Sequence, residues 1–144
     1  MAVLEQQIQD KIDKLSEQSY EFYESGDKEK SYQLMEDAWN KYPEPKEKWN
    51  ESFNTVRYAL DDLLKDGEIE KAKIWYNRMT KIQKNLNLWV GIYEFYSGKY
   101  FYNKQEYSKA FNFFKKSVEI RKGLDYFIDQ EPKYLKFFQN EILT

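Results

Sequence analysis

The chain contains no cysteine and no histidine. Lack of thiols excludes disulfides and cysteine nucleophiles. Lack of imidazole removes Ser–His and Cys–His catalytic pairs and the common zinc ligand sets. Glycine and proline are scarce, at 5 and 3 of 144 residues, which argues against a loop-rich or all-β design. No apolar run approaches the roughly 18–20 residues that span a bilayer. The opening Met1-Ala2-Val3-Leu4-Glu5 turns acidic at once, unlike a signal peptide, so a cytoplasmic location is the default expectation. Excess charge of one sign is also missing: 23 Lys+Arg face 25 Asp+Glu, a net charge of −2. Nothing in that balance draws the chain to nucleic acid or to an anionic membrane.

What is abundant is aromatic surface. The chain carries 13 Tyr, 10 Phe and 4 Trp, 19% of its residues, beneath a mean hydropathy of −0.94. Aromatic rings bury large areas while keeping polar handles, so they build a core that an averaged hydropathy misses. A length of 144 residues suits one domain, 1–144. Charge is graded along it. Residues 1–50 hold 7 basic and 12 acidic side chains, residues 51–98 hold 7 of each, and residues 99–144 hold 9 and 6. Solvated helix faces explain such a gradient, and an oriented partner would exploit it.

Helical periodicity dominates the pattern. Leu4, Ile8, Ile12, Leu15, Ser19 and Phe22 predict a helix from about Val3 to Glu24, broken by Ser25-Gly26-Asp27. A second, Lys28 to Lys41, aligns Tyr32, Met35, Ala38 and Trp39 and stops at Pro43-Glu44-Pro45. A third spans roughly Lys48 to Lys65 and closes at Asp66-Gly67, and a fourth runs from Glu68 to about Asn85. The fifth, about Leu88 to Asn103, is apolar nearly all round, which marks a central helix or an interface and leaves room for a homodimer. A sixth covers Gln105 to Lys122. After Gly123 and a short loop, Pro132 opens a last amphipathic piece to Leu143.

The segments align with one another. Gly26-x4-Ser31-x3-Met35-x2-Ala38-x4-Pro43, Gly67-x4-Ala72-x3-Tyr76-x2-Met79, and Gln105-Glu106-Tyr107-x2-Ala110-x3-Phe114-x2-Ser117 share a small residue followed four later by a large apolar one. The small residues fall at 31, 72 and 110, and Gly98 supplies a further small position in the helix before the third turn. This pattern resembles the tetratricopeptide repeat family, in which helix pairs pack closely where side chains are short. The resemblance implies an all-α, right-handed array of six to seven antiparallel helices. Its units would span about 4–43, 48–85 and 88–122, with a capping helix over about 132–143. Met79 stands where the family has a small residue, and Ser19 and Leu60 stand at its first-helix glycine position.

That family binds protein or peptide partners on the concave face formed by the first helix of each unit. The resemblance therefore implies a non-catalytic interaction module with no cofactor and no metal. It also implies groove candidates: Tyr20, Tyr23 and Glu24 (beside Ser16) in unit one, Arg57 and Asp61 (with Leu64 and Lys65) in unit two, and Phe95, Lys99, Tyr102 and Asn103 (with Ile92) in unit three. Tyrosine and arginine are frequent interface hot spots. The family's Lys/Asn clamp for a terminal carboxylate is not reproduced, because Asp61 occupies a position where a neutral donor is needed. The Pro132-Lys133-Tyr134-x2-Phe137-Phe138 tail on so small an array also resembles proteins that accompany bacterial toxin systems. The alternative expectation is thus a bacterial immunity protein that neutralises a cognate toxin by binding it. The carboxylates Glu17/Glu21/Glu24, Asp61-Asp62 and Glu68/Glu70 read as solvated faces and helix-dipole partners rather than acid–base pairs, and Lys115-Lys116 and Arg121-Lys122 as an outer helix face.

Overall fold

A computed structural model describes residues 4–86 and 88–143. Among them, seven α-helices follow one another: α1 (Gln6–Glu24), α2 (Lys28–Lys41), α3 (Asn50–Lys65), α4 (Ile69–Asn85), α5 (Ile92–Asn103), α6 (Tyr107–Arg121) and α7 (Pro132–Leu143). Short 3-10 turns occupy Lys46–Lys48 and Asp125–Phe127. The chain is all-α, as the periodicity predicts. The expected start at Val3 lies outside the described residues.

The chain divides into two compact units. The first comprises Met1–Asp62 and Asn77–Leu86, the second Leu63–Tyr76 and Asn87–Thr144. Helices α3 and α4 contribute residues to both.

One turn recurs three times. Asp27 N–H donates to Phe22 C=O at 2.9 Å, Glu68 N–H to Leu63 C=O at 2.9 Å, and Glu106 N–H to Phe101 C=O at 3.0 Å. Each time the preceding residue is left-handed: Gly26 at φ 94°, Gly67 at 75° and Gln105 at 64°. The acidic residue's carbonyl then accepts from the amide of the buried small residue four further on, Ser31, Ala72 or Ala110. A left-handed residue satisfies the orphan carbonyls of the ending helix and reverses the chain at once. Asp27 adds a side-chain cap, accepting from Lys30 N–H at 3.2 Å.

Within the first unit α1 packs on α2 through small polar residues. Ser19 Oγ donates to the Ser31 carbonyl at 2.8 Å and sits 2.9 Å from Ser31 Oγ, which satisfies both buried hydroxyls. Tyr42, buried at the end of α2, meets Thr55 Oγ1 at 2.8 Å. Burial pushes its phenol up to about 12. Arg78 on α4 grips both carboxylate oxygens of Glu36 at 2.9 Å and stacks 5.0 Å from the Trp39 ring.

In the second unit α5 is the central element, with Ile92 and Phe95–Tyr100 all buried. It begins four residues later than its apolar pattern suggests. Gly91 adopts φ 79° and caps it, Ser117 Oγ donates to Gly91 C=O at 2.8 Å, and Trp89 and Val90 are exposed ahead of it. The apolarity of α5 is met by this chain's own rings. Phe95 packs edge-on to Phe127 at 5.0 Å, and Tyr76 stacks on Tyr100 at 4.4 Å. Helix α6 ends where Lys122, rather than the neighbouring Gly123, takes the left-handed conformation (φ 61°). The 3-10 turn that follows is invisible in the hydrophobic pattern, yet it delivers Phe127 into the aromatic cluster with Phe114 and Phe138.

Candidate functional site

The first unit carries an open cleft of about 680 Å³. Its walls come from two helical strips. On α1, Ser16, Tyr20, Glu17 and Glu21 lie three or four residues apart and so share a face. On α3, Tyr58, Asp61 and Asp62 do the same. Met35 of α2 and Ser19 form the buried floor. Tyr20 and Tyr58 remain 65% and 57% exposed. The lining holds four carboxyl side chains and no lysine or arginine. Just beyond it, the Arg57 guanidinium stacks 5.1 Å from the Tyr58 ring and fixes one face of that ring.

The structure distributes the expected groove residues unevenly. Tyr20 and Asp61, with Ser16, come together in this cleft. Tyr23 lies outside it, with Lys28 Nζ 3.2 Å above its ring, and Glu24 is the exposed last residue of α1. Phe95, Lys99, Tyr102 and Asn103 lie in the other unit, among this chain's own side chains. Phe95 is 1% exposed inside the aromatic core. Lys99 is 3% exposed, its Nζ donating to Gln130 Oε1 at 2.7 Å and lying 4.8 Å from the Tyr96 ring. Tyr102 meets the rings of Tyr134 and Phe137 edge-on at 5.2 and 5.1 Å, and burial raises its phenol pKa. Asn103 donates to Tyr134 Oη at 2.8 Å. The chain's own α7 and the segment before it pack against Lys99, Tyr102 and Asn103.

Tyr58, Glu17, Glu21, Asp62 and Met35 are cleft residues that the sequence reading does not single out as groove candidates. Tyr58 reads as one of α3's apolar positions, and the acids read as solvated faces. The available signal was their spacing on the same strips as Tyr20 and Asp61.

A second, shallower hollow of about 370 Å³ lies in the other unit, where Phe101 and Phe113 stack in parallel at 5.5 Å beside Lys109, Asn112 and Lys116. Among the described residues, no group of three or more Asp or Glu side chains is arranged to hold a metal ion, and no helix is long and apolar enough to cross a membrane. Compared with family models, curated proteins and solved structures, the chain matches none.

Proposed function

We propose that the chain is a non-catalytic binding module of tetratricopeptide-like construction that receives a peptide or a protein segment in the cleft of its first unit. The observation that carries this reading is the pair of exposed tyrosines, Tyr20 and Tyr58, held at the mouth of a 680 Å³ cleft whose floor is already packed. Rigid aromatic rings that remain exposed beside a preformed concavity are the side chains that most often anchor a partner at low entropic cost. The turn repeated at Gly26, Gly67 and Gln105 supports the repeat construction, because one local geometry recurs at the spacing of the sequence alignment.

The test is affinity capture from cells with the wild-type chain and with a Tyr20→Ala/Tyr58→Ala variant, each first checked for native circular dichroism. A captured protein lost with the double variant supports the cleft as the binding site. Equal capture by a folded variant overturns it. Capture of one dominant enzyme with toxic activity assigns the module to toxin neutralisation, and capture of several unrelated proteins to an adaptor role.

A further inference from the structure

We propose that the hollow in the second unit is a separate interaction surface, one that takes an acidic segment of a protein partner with an apolar side chain next to its carboxylate. Phe101 comes from α5. Lys109, Asn112, Phe113 and Lys116 come from α6, where spacings of three and four residues place them on one strip of the helix. The Phe101 and Phe113 rings are nearly parallel, at 2° and 5.5 Å, and both remain partly exposed, so they give the hollow an apolar wall. Its volume, about 370 Å³, lies near the lower end of ligand-sized pockets, roughly 300–1,000 Å³, and suits one or two side chains.

Charge decides which side chains those are. No carboxylate lines the hollow. Glu106 at its edge is divided between Lys104 at 3.1 Å and Lys109 at 3.6 Å, one negative charge against two positive ones. Glu70 acts on Lys104 from longer range. Lys116 and Asn112 make no hydrogen bond or ion pair among the described residues. One turn apart on α6, they offer an ammonium and an amide donor beside the ring pair, and a single carboxylate can accept from both. An apolar neighbour of that carboxylate then covers the phenylalanine rings. A cationic segment is repelled by the same lysines. A nucleic-acid strand needs cations that track several phosphates, whereas this surface is one small hollow on a chain of net charge −2. The charge gradient agrees, since residues 99–144 carry 9 basic against 6 acidic side chains.

The test is a titration of the full chain, labelled for amide NMR, at about 150 mM salt, where the Debye length is short enough to suppress non-specific attraction. The probes are an end-capped Ser-Glu-Leu-Glu-Ser peptide, its analogues with Gln or Lys in place of Glu and with Gly in place of Leu, and an oligothymidylate. The expected result is that the parent peptide shifts the amide of Phe101 and those within 109–116, and that the Gln and Lys analogues do not. Lys116→Gln is expected to weaken the parent peptide about three- to fivefold, while Lys115→Gln, which removes the same charge outside the hollow, changes it less than about twofold. The Gly analogue is expected to bind about fivefold more weakly, having lost the apolar contact. Equal effects of the two lysine variants, an equal response to the Gln analogue, or no shift at millimolar parent peptide overturns the proposal. Tighter binding of the oligothymidylate at the same amides overturns it in favour of a nucleic-acid surface. The capture experiment with Tyr20→Ala/Tyr58→Ala concerns the other unit, so either result can stand without the other.

Discussion

Gly98 of α5 lies so close to Phe114 of α6 that a methyl group on its Cα would fall 2.5 Å from the ring's Cδ1 and 2.9 Å from Cγ. Phe114 is fully buried and hemmed in by Phe95, Phe127 and Phe138, and the clash reaches the root of its ring. The ring has nowhere to swing. Gly98→Ala is therefore expected to lower unfolding stability by about 1–3 kcal/mol despite alanine's better helix propensity. Urea titration followed by circular dichroism measures it, and a stabilised variant would show that α5 and α6 approach less closely.

The recurring turn makes opposite predictions at two of its copies. Gly67 has φ 75° with open space around its Cα, so Gly67→Ala loses only the conformational ease, about 1 kcal/mol. Gln105 holds the same role at φ 64° with a side chain present. Gln105→Gly should raise the midpoint of thermal unfolding, by roughly 0.5–1 kcal/mol in stability. A drop in both variants would contradict the equivalence of the two turns.

Alkaline stability should depend on Tyr42. Its phenol ionises near pH 10 in the unfolded chain and is pushed up to about 12 by burial in the folded one. The stabilisation from keeping it neutral is whole below pH 10 and is lost as pH rises through 12, up to about 2–3 kcal/mol. Burial also raises the phenols of Tyr100, Tyr102 and Tyr126, which add to the same trend. Tyr42→Phe is expected to be less stable at pH 7, having lost its contact with Thr55, but to lose less between pH 10 and 12. Parallel denaturation curves at pH 7 and 11 check this.

The Arg78–Glu36 fork joins α4 to α2 across 42 residues of sequence, with the guanidinium also over Trp39. Lysine keeps the charge but neither the two parallel hydrogen bonds nor the planar stacking. Arg78→Lys should cost about 0.5–1.5 kcal/mol, discounted because both side chains are partly solvated. A double-mutant cycle with Glu36→Gln isolates the pairwise part, and additivity of the two variants would mean the fork contributes nothing.

Local chemistry made much of the helical order readable in advance. Gly26, Gly67, Pro43 and Pro132 mark boundaries because the backbone itself demands them, and the small residues at 31, 72 and 110 are buried as their spacing suggests. The late start of α5 was not legible, because Leu88, Trp89 and Val90 continue the apolar pattern while Gly91 at φ 79° sets the actual boundary.

The candidate site divides along the same line. Residue identity by itself determined which chemistry this protein lacks, where its helices turn, and that Tyr20 and Asp61 sit on helix faces able to meet a ligand. Only the tertiary structure decided which faces stay open. Phe95, Lys99, Tyr102 and Asn103 have the same kind of spacing as Tyr20, yet Gln130, Tyr134 and Phe137 cover or bond three of them and the aromatic core takes Phe95. Tyr58 carries an ordinary core pattern, yet it is left at a cleft mouth. The reason is physical: periodicity fixes the direction of a side chain relative to its own helix, whereas exposure depends on whether another segment, distant in sequence, packs over it.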